Sequence, residues 1–251
     1  MPEYGPSTYG DRVADIYDHM PQVLGRDTGD AVATLAELAG AGPVLELGIG
    51  TGRLALPLAA RGLAVHGIDA SEAMVKKLRA KPGGERIPVA IGDFADVAVD
   101  GRFPLIFVAF NTFFGLSSQE DQVRCFARVA EHLTDDGVFV LEAFVPDVTR
   151  FDRGQRVGVT HMGVGDVQLE ASLHDPVAQR IRSHHIVMSN EGGARLYPVH
   201  VRYAWPSELD LMARLAGLHL RARWSYWDKS EFTAASRSHV SVYAYNRASV
   251  R

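Results

Sequence analysis

The chain has 251 residues, 47% of them hydrophobic and 22% charged, with a formal net charge of −4, enough to bury a sizeable core and ordinary for a soluble globular protein. The acidic balance lacks the basic footprint of a nucleic-acid partner, and no apolar run approaches the roughly 18 residues needed to cross a bilayer. The single cysteine, Cys125, leaves no internal disulfide or multi-cysteine metal site to consider; on its helix it reads as a small apolar residue. Met1 to Pro6 carries no basic region followed by an apolar stretch, so a cytoplasmic rather than a secreted protein is expected.

In chain order, Asp11 to Asp18 has apolar residues at helical spacing and predicts a short amphipathic helix. A second helix is expected over Asp30 to Ala39, stopped by Gly40 and Pro43. Strand and helix signals then alternate: a strand over Val44–Leu47, a helix over Gly52–Ala60, a strand over Ala64–Ile68, and a helix over Ser71–Arg79 capped by Ser71. A short strand at Ile87–Ile91, an apolar strand at Phe103–Phe110, a helix at Glu120–His132 and a strand at Val138–Phe144 follow. Apolar strands without polar alternation, separated by helices, predict a doubly wound parallel α/β sheet covered on both faces.

From about Phe151 to Trp205 the pattern changes. Val164–Leu173, Arg180–Ser189 and Arg195–Tyr203 read as strands separated by the turns Asp175-Pro176 and Glu191-Gly192-Gly193. This predicts an antiparallel β insertion. A helix over Pro206–Ala216 and strands near Leu218–Tyr226 and Val240–Tyr245 complete the chain.

The chemistry concentrates at the carboxyl ends of the parallel strands, where open α/β sheets bind ligands. The run Val44-Leu45-Glu46-Leu47-Gly48-Ile49-Gly50-Thr51-Gly52 is a strand that breaks into a glycine turn. It departs from the dinucleotide fingerprint Gly-x-Gly-x-x-Gly, because the third glycine comes one residue early and Arg53 stands in its place. Glu46 ahead of the turn suits a cationic ligand better than a pyrophosphate. Seventeen residues after Gly52, Asp69 ends the second strand, placed to accept hydrogen bonds from ribose hydroxyls. Gly92-Asp93-Phe94 follows the third strand.

These motifs resemble those of the class I S-adenosylmethionine-dependent methyltransferases: Glu46-Leu47-Gly48-Ile49-Gly50-Thr51-Gly52, then Asp69-Ala70-Ser71-Glu72-Ala73-Met74, then Gly92-Asp93-Phe94. The resemblance implies a Rossmann-like seven-stranded sheet of order 3-2-1-4-5-7-6 with strand seven antiparallel. It implies that Glu46, Gly48, Gly50 and Gly52 hold the methionine part of the cofactor, Asp69 the ribose and Asp93 the adenine amino group. Ala70 and Met74 would flank the purine and Phe94 would close over it. The division it suggests is N-terminal lid helices over 1–42, a cofactor-binding core over 43–150, an antiparallel substrate or oligomer flap over 151–205, and the C-terminal part of the core over 206–251.

Two aromatic segments bear on the acceptor. Tyr4, Tyr9 and Tyr17 precede the core, in a segment similar to the N-terminal lid of small methyltransferases of bacterial secondary metabolism. Phe110-Asn111-Thr112-Phe113-Phe114 follows strand four, where this fold puts methyl transfer. An aromatic face attracts a sulfonium, so Tyr9, Tyr17, Phe113 and Phe114 are the expected catalytic residues, with Tyr17 and Phe110 also touching the cofactor. The Asn-Pro-Pro-Tyr pattern of enzymes acting on base or glutamine amides is missing, replaced by Asn111-Thr112-Phe113-Phe114.

Transfer from a sulfonium is an in-line displacement that needs chiefly alignment and exclusion of water. No metal constellation is legible; His184 and His185 are neighbours on a strand and point to opposite faces, so they read as surface or flap residues. The expectation is a methyltransferase acting on an amine of a small natural-product intermediate, similar to amino-sugar and lincosamide-type N-methyltransferases. The alternative is O-methylation of a sugar or other small-molecule hydroxyl, with His161 or His239 as base. A homo-oligomer without nucleic-acid or membrane partners is expected. A nicotinamide oxidoreductase is disfavoured by the glycine spacing and Glu46, and a non-catalytic cofactor-binding protein by the intact motifs.

Overall fold

The computed structural model describes residues 4–20, 28–190 and 192–245. The elements are α1 (Thr8–Val13), α2 (Gly29–Ala39), β1 (Val44–Leu47), α3 (Ala55–Ala60), β2 (Val65–Asp69), α4 (Glu72–Arg79), β3 (Val89–Ile91), β4 (Phe103–Val108), α5 (Gln119–His132) and β5 (Leu133–Phe144). Then follow β6 (Gln155–Met162), β7 (Asp166–Asp175), β8 (Arg180–Ser189), β9 (Gly193–Arg202), α6 (Pro206–Leu215), β10 (Leu218–Trp224) and β11 (Ser238–Tyr245).

Seven strands form one sheet in the order β3-β2-β1-β4-β5-β11-β10. The pairs from β3 to β5 are parallel, and β11 runs antiparallel to both β5 and β10. This is the expected 3-2-1-4-5-7-6 arrangement. Side chains along its buried strands alternate between two layers. Leu45, Leu47, Ile106, Val108, Phe139 and Leu141 enter one apolar layer with Phe126 and Val129 of α5 and Leu209 and Met212 of α6. Val44, Leu105, Phe107, Val138 and Val140 enter the opposite layer with Val32 and Leu35 of α2 and Leu58 of α3. With both faces covered, β1 and β4 have no polar face to show; β1 is buried along its whole length.

The insertion is a second antiparallel sheet in the order β6-β7-β8-β9. Three of its strands were legible and the first was not. Gln155–Met162 is an exposed edge strand rich in polar residues, fixed by its register with β7 rather than by its own periodicity. The Glu191 part of the expected β8–β9 turn lies outside the described residues.

The expected helix over Asp11 to Asp18 is divided. The α-helix ends at Val13 and a 3-10 turn covers Tyr17–His19. The division lets two carboxylates reach separate parts of the core. Asp11 accepts a hydrogen bond from the Ser71 hydroxyl at 2.6 Å, and Asp18 one from the Thr51 hydroxyl at 2.6 Å. Lys77 pairs with Asp15 and Lys81 with Asp18 at 2.8 and 2.7 Å. On its other side the segment meets the insertion, where the Tyr4 ring stacks on His200 with centroids 3.9 Å apart.

Candidate functional site

A cavity of about 480 Å³ opens at the carboxyl ends of β1 to β4, roofed by the N-terminal segment and walled by the inner face of the insertion. Glu46, Gly48, Gly50, Asp69, Ala70, Met74, Asp93, Phe94 and Phe110 line it, with Tyr9 and Tyr17 above. Each arrives there for a local reason. Ser71 caps α4 by accepting the Met74 N–H at 3.2 Å, which fixes the Asp69-Ala70-Ser71 turn. The Asp69 carboxylate accepts the Gly50 N–H at 2.7 Å through Oδ2 and the Ser71 N–H at 2.8 Å through Oδ1. It ties the glycine turn to β2 and keeps lone pairs for a ligand. Burial raises the Asp69 pKa, opposed by those two N–H donors. Asp93 Oδ1 accepts the Ala95 N–H at 2.9 Å.

Gly52 does not line the cavity. It sits behind the turn at φ +82°, where a Cβ would strike Leu78 Cδ1, so the third glycine is a packing requirement. Gly48, at φ +72°, faces the cavity, and a Cβ there would lie 2.5 Å from Thr112 Cγ2.

Glu46 is buried, and burial pushes its carboxyl well up, with Arg53 opposing and Asp69 adding to the rise. Its Oε2 finds no hydrogen-bond partner among the described residues. A buried carboxylate oxygen left unmatched is costly unless a ligand supplies a donor. The Arg53 guanidinium lies 3.1 Å above the centre of the Phe110 ring in the same cavity. A carboxylate and a guanidinium on one glycine turn match the ammonium and carboxylate of an α-amino acid. The residues therefore fit the methionine half of S-adenosylmethionine.

Phe113 and Phe114, expected at the reacting centre, are both wholly buried and outside the cavity. The reason is the exit from β4. Phe110 and Asn111 hold consecutive left-handed conformations, φ +57° and +68°. The Phe110 N–H donates to Glu142 Oε2 at 2.8 Å, and Asn111 Oδ1 accepts the Phe144 N–H at 2.7 Å. This reversal starts the 3-10 turn Thr112–Gly115 and drives both rings inward, Phe113 against Phe126 and Phe114 against Phe144. Phe110 and Phe144 are the phenylalanines of this region that face the cavity.

The histidines expected as bases for a hydroxyl acceptor do not line it either. His239 is fully buried within β11, its pKa pushed down to about 3 by burial, with Arg223 adding to the shift. His161 lies on β6, 3.6 Å from Asp166. His185, which the sequence reads as a flap residue, lines the cavity with Arg150, Glu170, Ile181, Ser183 and Val199. His184, one residue away, lies on the other face of β8. Sequence inspection missed Arg53, Arg150, Glu170 and His200 as cavity residues; only Arg53, beside the glycine turn, carried a local signal. The Tyr9 phenol is raised by burial and by Tyr17 and Tyr4 beside it, so it stays protonated. Among the described residues, no group of three or more His, Cys, Asp and Glu side chains could hold a metal ion.

Comparison with known proteins agrees with this geometry. Residues 44–137 match the family model described as a methyltransferase domain. The CcbJ methyltransferase of Streptomyces caelestis is 44% identical, with a TM-score of 0.91 over 96% of this chain and 99% of that one. The cypemycin N-terminal methyltransferase of a Streptomyces species is 29% identical over 94% of this chain and 97% of its own. The structure of SAM-bound CalS10, an amino pentose methyltransferase from Micromonospora echinaspora, shares the fold with a TM-score of 0.69 at 22% identity, covering 92% of this chain and 97% of that one. By its full-length likeness to CcbJ and its matched domain, the chain belongs to the S-adenosylmethionine-dependent methyltransferases.

Proposed function

We propose that the protein methylates an amine nitrogen of a small natural-product intermediate, as a cytoplasmic homo-oligomer. When bound, S-adenosylmethionine supplies an electrophilic methyl on a sulfonium. Glu46 and Arg53 hold the amino-acid end, Asp69 the ribose hydroxyls and Asp93 the adenine amino group. Ala70 and Met74 flank the purine and Phe94 covers it. Tyr9, Tyr17 and Phe110 present π faces and one protonated phenol around the reacting centre, while the N-terminal segment excludes water. The division into a lid (1–42), a cofactor core (43–150), a flap (151–205) and a C-terminal core (206–251) follows the same reading.

The observation that carries the nitrogen acceptor is the full-length likeness to a relative named as an N-terminal methyltransferase. The oligomer is supported by Val157, Val159, Leu173 and Leu196, all exposed on the outer face of the insertion. Transfer from a donor carrying a ¹³C-labelled methyl group, with amine and hydroxyl acceptors offered together, tests the reaction. NMR correlation of the new methyl to nitrogen is expected, and an O-methyl product overturns the proposal. Sedimentation velocity tests assembly, and a monomer at micromolar concentration removes it.

A further inference from the structure

The chemistry of an amine acceptor poses a problem that alignment alone does not solve. An alkylamine with a lysine-like pKa of about 10.4 is neutral in roughly one molecule in a few thousand at pH 7. The ammonium has no lone pair to give. Among the described residues of the cavity wall opposite the cofactor half, His185, Glu170 and His200 are of a kind able to take that proton.

His185 lies in the middle of β8, on the inner face of the insertion, in a row across three strands. Glu170 of β7 is directly opposite it on one side and Tyr197 of β9 on the other. Facing residues in such a row stand with their Cβ atoms about 4.5–5.5 Å apart. The row is held from both ends. Glu170 Oε1 accepts Arg150 Nη2 at 2.7 Å, the Ser172 hydroxyl at 3.1 Å and Arg156 Nη1 at 3.4 Å. Ser172 meets Ser183 of β8 at 2.8 Å. Tyr197 is buried in a cluster with Val13 and Met74, against which Tyr9, Tyr17 and Val187 pack. Glu170, with Arg150 and Arg156 on it, thus stands to one side of His185 and Tyr197 to the other, and Tyr9 and Tyr17, packed on the Tyr197 cluster, line the same cavity. His200, the other histidine lining the cavity among the described residues, has a ring face covered by Tyr4.

We propose that His185 is the proton acceptor for the incoming ammonium. The N–H bond of the acceptor breaks, its electron pair stays on nitrogen as the nucleophilic lone pair, and the proton forms a new N–H bond on the His185 ring. Glu170 across the strand faces the imidazolium that results. After methyl transfer the product amine leaves as its own cation and the imidazolium returns its proton to solvent. This role rests on the reading of the protein as an amine methyltransferase.

The test is His185→Gln assayed with two acceptors of similar size, an alkylamine and an alkoxyamine that is already neutral at pH 7. With the alkylamine, kcat is expected to fall by about 100-fold or more. With the alkoxyamine it should fall by less than about threefold, and calorimetry with S-adenosylhomocysteine present should show acceptor Kd changed by no more than that. Equal losses on both acceptors, or no loss on either, overturn the role of His185 while leaving amine methylation standing. If the unaltered enzyme methylates neither amine but does methylate a hydroxyl, the functional reading itself falls and this inference with it.

Discussion

Glu46 is a cavity carboxylate whose burial makes sense once a ligand is added. Ionising Glu46 works against its burial; a ligand ammonium beside Oε2 favours the charged form and lowers the pKa again. At a pH between the pKa values of the free and the ligand-bound states, cofactor binding therefore releases a proton from Glu46. Affinity should be fully developed above the raised pKa and decline as pH falls through it, and Glu46→Gln should be weaker and flat with pH in calorimetric titrations. Asp69→Ala removes the acceptor of the Gly50 and Ser71 N–H groups and the one proposed for the ribose, so S-adenosylhomocysteine affinity should drop by about 1–3 kcal/mol. Unchanged affinity would take Asp69 out of the site. Phe113→Leu, against Phe126, touches the core and not the cavity. It should cost about 1–3 kcal/mol in denaturant unfolding and leave KM for both substrates where it was.

At the scale of elements, the informative joint is the exit from β4. Two successive left-handed residues that are not glycine store strain, and here the Glu142 carboxylate and the Asn111 side chain hold them in place. Asparagine tolerates this backbone better than most residues. Asn111→Gly keeps the backbone and loses one hydrogen bond, whereas Asn111→Ala loses both. The alanine variant should be less stable than the glycine variant by about 1 kcal/mol in urea unfolding, with a larger loss of turnover because Phe110 and Phe144 shift. Equal stabilities would mean that the conformation itself carries no cost. The expected cap of α4 by Ser71 was readable because capping depends on local sequence. That the same hydroxyl donates to Asp11, sixty residues earlier, was not.

Across the whole molecule, the N-terminal segment joins the two sheets over the cavity, through Asp11 and Asp18 to the core and through Tyr4 to the insertion. Release of a ligand from beneath it requires these contacts to part. Asp18→Asn weakens the pairing with Lys81 and keeps an acceptor for Thr51. Dissociation of S-adenosylhomocysteine in stopped flow should accelerate about 3- to 10-fold, and more steeply for the double change Asp18→Asn with Tyr4→Ala. An unchanged off-rate would make the segment a passive cover.

The sequence by itself determined the alternation of strands and helices, the doubly wound sheet and the carboxylates at strand ends that line the cavity. These follow from burial on both faces and from short motifs in which ligand-facing groups lie within a few residues of a turn. Tertiary structure decided the rest. Gly52 and the Phe113–Phe114 pair keep their motif positions but face the core, because a glycine behind a turn and a ring after a backbone reversal are aimed by what packs against them. The polar edge strand Gln155–Met162 exists only through its pairing with β7. His185 came to the cavity with Glu170 and Arg150 through the register of a sheet folded over the site. No local pattern encodes that meeting, since it joins residues that only long-range strand pairing makes neighbours.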